Sequence, residues 1–143
     1  MRLDPPFRRT VYAVMAALLA TGVAWIVADA LKDSVNGEAW QQVAASLLMY
    51  HGGAAMVMLM LLGALVPLHV GRSWRAGRNR TTGAAMASLN AALVVTAFGL
   101  YYLGSDTTRP WWSGVHIGVG LALPLLVLVH VWNGRRLRHD RRR

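Results

Sequence analysis

The chain has 143 residues, 55% of them apolar, a mean hydropathy of +0.38 and a formal net charge of +9. It has no cysteine, which excludes disulfides and thiolate-held iron–sulfur clusters. The apolar residues gather in four blocks of about 20 residues, the length that crosses a hydrocarbon core of roughly 30 Å, and an ordinary soluble domain is thereby excluded.

The first block, 11–31 ("VYAVMAALLATGVAWIVADAL"), is too long for a signal-peptide core and has no clean small-x-small cleavage site after it, so it is expected to remain as a helix. The second covers 43–70, the third 84–104 ("AAMASLNAALVVTAFGLYYLG") and the fourth 112–132. The connections "KDSVNGEAWQQV", "GRSWRAGRNRTTG" and "SDTTRPW" are short, which makes sequential helices antiparallel neighbours. The expected fold is all-α: an integral membrane four-helix up-down-up-down bundle over residues 1–134, followed by a basic tail over 135–143. Asn133–Gly134 is the expected stop of the last helix. The tail is expected to lie along an anionic inner leaflet, with His139 a solvated member of it.

Charge orients the bundle. Arg2, Arg8 and Arg9 precede the first block; Arg72, Arg75, Arg78 and Arg80 separate the second from the third; Arg135, Arg136, Arg138, Arg141, Arg142 and Arg143 follow the fourth. The other two connections hold only Lys32 and Arg109, offset by Asp29, Asp33, Glu38 and Asp106. Arginine-rich loops stay inside, so both termini and the middle loop are expected in the cytoplasm. Alternation with membrane spans makes these arginines a topology signal, and no nucleic-acid partner is expected.

Four histidines interrupt the apolar blocks. His51 and His69 lie in the second, His116 and His130 in the fourth, and the other two blocks have none. Titratable groups at membrane depth are costly and mark a ligand, a relay or a partner. In the expected bundle the second and fourth helices are parallel, so His51 and His116 share an outer level and His69 and His130 an inner one. Eighteen residues return His69 to the face of His51 after about five turns. Fourteen do the same for His116 and His130 in a helix supercoiled at about 3.5 residues per turn. Two imidazoles at each of two depths suit the axial positions of two haem irons, with His51, His69, His116 and His130 as the metal ligands. With no cysteine, such a haem is held without a thioether link.

The two spacings differ along the axis, about 27 Å against about 21 Å. Pro67 and Pro124 are placed to kink or open their helices and absorb part of that difference. Gly52, Gly53, Gly118 and Gly120 beside the histidines, with Gly22 and Gly99 on the other helices, offer close approach to a flat porphyrin; ordinary packing through small residues explains any one of them equally. Arg72, Arg75, Arg135 and Arg136 are candidates to neutralise the inner haem's propionates, and Lys32 and Arg109 the outer one's. Positive-inside topology is the plainer reason for the inner arginines. Met56, Met58 and Met60 read as lipid-facing or filler residues. One zinc ion cannot span two levels roughly 20 Å apart. A proton relay would need buried carboxylates, and Asp29, at a helix end, reads as a solvated or capping residue.

These residues resemble the small four-helix bacterial membrane cytochromes b, the haem-bearing anchor subunits of respiratory and photosynthetic redox systems. The resemblance covers essentially the whole chain and rests on "MYHGG", "PLHV", "GVHIGVGL", "VLVHVWNGRR" and "TAFGLYYLG". Anchors of hydrogenase and formate dehydrogenase type take a ligand from the first helix, where this chain has no histidine. It is closer to the arrangement of larger quinol-oxidising cytochromes b, in which two parallel helices give two ligands each. The resemblance implies two bis-histidine haems b, a multi-pass place in the bacterial inner membrane, electron transfer across it, and a redox partner subunit or cytochrome. Quinone is the candidate diffusible partner. Trp111, Trp112, Tyr101 and Tyr102 could line its pocket, although an interfacial aromatic belt explains them more simply. A single-haem protein and a haem-free membrane assembly subunit are the alternatives.

Overall fold

A chain in lipid must satisfy its backbone hydrogen bonds internally, and a run of apolar residues therefore folds as helix. The computed structural model describes residues 4–77 and 79–139, the last three as backbone only. Arg2, Arg78, Arg141, Arg142 and Arg143, and the side chains of Arg138 and His139, lie outside the described residues. Among the described residues there is no strand, and four helices are long and apolar enough to cross a membrane: Pro5–Ala30, Gly37–Arg75, Arg80–Leu103 and Arg109–Arg136. They point to a membrane protein.

Each helix outruns its apolar block. The helix α1 (Pro5–Ala30) opens on two prolines, which tolerate the first turn because its N–H groups have no intrahelical acceptor. At its far end Asp29 pairs with Lys32 at 3.0 Å. The next helix, α2 (Gly37–Leu65), takes in the polar residues Glu38, Gln41 and Gln42. At Val66–Val70 it passes into a wide π turn and continues as α3 (Gly71–Arg75). Pro67 supplies the cause: it has no N–H for an i−4 carbonyl and its ring crowds that carbonyl. A wider turn relieves both problems. Pro124 opens no wide turn: α5 (Arg109–His139) carries it inside an uninterrupted helical run. The expected stop at Asn133–Gly134 is also corrected. The last helix continues to His139, since the following arginines and leucine are strong helix formers that outweigh one glycine.

The reversal before α4 (Arg80–Phe98) places Gly77 at φ 66° and Asn79 at φ 51°, the left-handed region that glycine and asparagine enter most readily. A second wide turn, Gly99–Leu103, ends that span. Its carbonyls find donors in the following loop: Thr108 Oγ1 donates to Leu103 O at 3.2 Å and the Arg109 guanidinium to Leu100 O at 3.3 Å.

The chain divides into two compact units, residues 1–69 and 70–143. In the first, α1 packs on α2; in the second, α4 packs on α5. Contacts step in opposite directions along the partners, as Thr96–His116 and Thr82–His130 do, so each unit is an antiparallel hairpin. Few side chains are buried. Ala28 and Met58 are the buried apolar residues, while Met56 and Met60 are 68% and 76% exposed. That contrast fits Met58 as filler and its neighbours as lipid-facing. An apolar surface this large would aggregate in water and is ordinary against lipid.

The α4–α5 seam is closest at Gly99, where an added Cβ would lie 2.5 Å from Cδ2 of Trp112. Gly99 thus accommodates an indole of its own hairpin, the ordinary packing through small residues that the sequence also allowed. Gly99→Ala is expected to reduce the unfolding free energy in detergent by about 1–3 kcal/mol, the cost of overpacking. Gly118→Ala, whose Cβ would meet nothing within 4 Å, should match the wild type. Equal stabilities for the two variants would contradict the close seam.

Candidate functional site

Three histidines share one local device. Each sits half-buried on the second helix of its hairpin and meets a threonine hydroxyl from the first. Thr21 Oγ1 lies 2.9 Å from His51 Nδ1. Thr96 Oγ1 lies 2.8 Å from His116 Nδ1, and Thr82 Oγ1 lies 2.9 Å from His130 Nδ1. Antiparallel packing brings the partners together: residues equally far from the loop on either side come level.

The direction of these bonds follows from the hydroxyl's single proton. Thr21 Oγ1 donates to Ala17 O at 2.7 Å, and Thr96 Oγ1 to Ala92 O at 2.7 Å. Both approach a second carbonyl, of Leu18 and Leu93, at 3.2 Å. A carbonyl cannot donate, so the proton is committed to it, and the hydroxyl faces the histidine as an acceptor. In that arrangement Nδ1 carries the hydrogen. The lone pair of the neutral ring is then on Nε2, the nitrogen a metal would take.

At His130 the same logic runs through an amide. Thr82 Oγ1 donates to Asn79 Oδ1 at 2.6 Å, and Asn79 Nδ2 donates to the His130 carbonyl at 3.0 Å. Asn79 Nδ2 also lies 3.2 Å from His130 Nδ1. The two neighbours make opposite demands on Nδ1: the Thr82 oxygen, its proton given to Asn79, accepts, whereas the Asn79 amide nitrogen can only donate. The Asn79 amide is turned by its bond to the carbonyl.

His69 occupies the wide turn Val66–Val70 and is half-buried. The turn alters the straight-helix register to His51. It holds one residue more than an α turn, so the phase between the two rings changes by up to about 100°. The rise per residue also falls. Gly22 accommodates His51: a Cβ there would stand 3.4 Å from Cε1 of the ring. Glycines 53, 114 and 118 keep open faces, with nothing within 4 Å of an added Cβ.

The cations separate into two groups. Arg72, Arg75 and Arg135 are exposed at helix ends. Arg136 stacks on Trp132 at 4.0 Å and Arg80 on Trp74 at 5.5 Å, as interfacial anchors do. Lys32 and Arg109, the candidates for an outer carboxylate, are engaged by Asp29 and by the Leu100 carbonyl. Tyr101, Tyr102 and Trp111 are exposed, whereas Trp112 turns onto Gly99. Among the described residues no three histidine, cysteine, aspartate or glutamate side chains come together.

An imidazole whose Nδ1 donates would offer Nε2 to a metal, a donor chemistry that fits haem iron. Sequence reasoning identified the histidines and missed Thr21, Thr82, Thr96 and Asn79. Comparison with protein-family models, curated proteins and solved structures finds no match, so the chemistry of the site is argued from its own residues.

Proposed function

We propose that the chain is a membrane b-type cytochrome that carries electrons across the bacterial inner membrane between two bis-histidine haems. In this reading the four spans form an up-down-up-down bundle with both termini in the cytoplasm. His51 and His116 hold the outer haem, and His69 and His130 the inner one. Arg72, Arg75 and Arg135 would neutralise the inner haem's propionates.

The observation that carries the proposal is the repeated contact of a threonine hydroxyl with a histidine Nδ1; at His51 and His116 a hydroxyl whose proton goes to a carbonyl would leave Nε2 as the basic nitrogen. A haem held this way supplies a one-electron couple. The chain holds it between imidazoles, orients those rings, and surrounds them with apolar helix that excludes water. His51, His116, His69 and His130 would occupy the iron's ligand positions, and any catalysis would then belong to a partner subunit or to a quinone pocket. In this reading the chain works as a subunit of a larger redox complex.

A dithionite-reduced minus oxidised visible spectrum of the purified protein is expected to show the sharp bands of low-spin bis-imidazole haem. A flat spectrum after expression with ample haem would refute the cytochrome. The same histidine bonds also favour a second reading, a haem-free membrane assembly subunit, because interhelical hydrogen bonds join hairpins without any cofactor. The spectrum separates the two.

A further inference from the structure

We propose that Thr21, Thr96 and Thr82 are positioning residues that fix the tautomer of His51, His116 and His130 and set the electron affinity of the iron those rings bind. The inference rests on the cytochrome reading and adds to it the groups that tune the ligands. Its foundation is proton accounting around each hydroxyl.

In each case the shortest contact of the threonine oxygen is to a carbonyl: 2.7 Å to Ala17, 2.7 Å to Ala92 and 2.6 Å to the side-chain carbonyl of Asn79. The histidine nitrogen is slightly farther, at 2.8–2.9 Å. A hydroxyl that has given its proton away can only accept, and donation to a carbonyl makes its oxygen a stronger acceptor. An imidazole giving its Nδ1 hydrogen to such an oxygen gains electron density at Nε2. Outer-shell partners of this kind orient a ligating ring and raise its basicity. A more basic ligand favours ferric over ferrous iron, so each threonine lowers the reduction potential of its haem.

The two hairpins use matching parts. Thr21 with the Ala17 and Leu18 carbonyls on α1 reproduces Thr96 with the Ala92 and Leu93 carbonyls on α4. His51 and His116 are thus served by the same kind of partner. His130 is tuned through Asn79 instead, which gives the inner haem a separate control.

The test uses the full-length purified protein with Thr96→Val, Thr21→Val and Thr82→Val, each isosteric and suited to an apolar helix, and the matching serine variants. Potentiometric titration is expected to show one of two waves moving positive by about tenfold in the ferrous-to-ferric ratio, equal to about 59 mV for one electron. Thr21→Val and Thr96→Val should move the same wave and Thr82→Val the other. Serine should restore each. Haem retention should fall by about 10–100-fold where the acceptor is lost.

Wild-type potentials and retention in all valine variants would overturn the proposal. So would serine variants that shift as far as valine, which would reveal shape rather than the hydroxyl as the cause. Nitrogen-15 spectra of labelled histidine in the haem-free chain keep the two proposals distinguishable. An Nδ1–H tautomer in the wild type that is lost on Thr96→Val supports the role of the hydroxyl even if no haem binds. An Nε2–H tautomer in the wild type ends it even if haem does.

Discussion

Four single alanine substitutions at the histidines are expected to sort into two classes. His51→Ala and His116→Ala should each lose the same haem, and His69→Ala and His130→Ala should each lose the other. Every single variant keeps about half the wild-type haem, and the double variant His51→Ala/His130→Ala keeps none. The expectation follows from the cost of removing an axial ligand, which exceeds the roughly 10–100-fold that outer-shell changes cost. Truncation also disturbs the hairpin. His130→Ala strands Thr82 and Asn79, and interhelical hydrogen bonds in membranes average about 0.6 kcal/mol each, so the fold should survive. Haem per chain is read by pyridine haemochrome against protein mass, and the class is read from the potential of the wave that remains. A single variant that loses everything would reduce the protein to one site. A different grouping, such as His51 with His69, would mean that rings from one helix share an iron, and the parallel-span reading would fail.

Much of this was legible in the residues. Apolar blocks located four helices because lipid leaves the backbone no partner but itself. Their ends were not legible, because helix propensity carries polar residues beyond the hydrocarbon limit: Glu38, Gln41 and Gln42 extend α2, and the arginines after Gly134 extend α5. Pro67 was correctly placed as a point where its helix opens, while Pro124 sits in a helix that stays continuous. Nothing local distinguishes a proline that widens a turn from one that merely forfeits a bond. The histidines stood out as isolated polar rings. Their partners did not, since a threonine bonded to its own i−4 carbonyl resembles any membrane threonine. A mirror test would have found them. Thr21 and His51 lie fifteen residues either side of Asn36, and Thr96 and His116 lie ten either side of Asp106. Thr82 and His130 lie twenty-four either side of that same aspartate. An antiparallel hairpin brings such pairs level, so polar residues in mirror register are a signal that periodicity along one helix does not contain.

Asn79→Ala is expected to reduce the unfolding free energy by about 2–4 kcal/mol, and its comparison with Asn79→Gly divides that loss between backbone and side chain. Asn79 stands at φ 51°, where an alanine Cβ costs about 1–2 kcal/mol. Its amide donates to the His130 carbonyl and accepts from Thr82, two bonds at about 1 kcal/mol each. Glycine enters the left-handed region without that penalty, so Asn79→Gly should recover about 1 kcal/mol in the same denaturation experiment. Neither variant restores the acceptor of the Thr82 hydroxyl. That proton is then released to turn toward His130 Nδ1, and the ring loses the partner that held its hydrogen there. Both variants should therefore move the inner haem's potential by a similar amount while their stabilities differ. Equal stabilities for alanine and glycine would mean that the backbone at Asn79 imposes no strain. An unmoved potential in both would break the link from amide to hydroxyl to imidazole, and with it the separate tuning of the inner site.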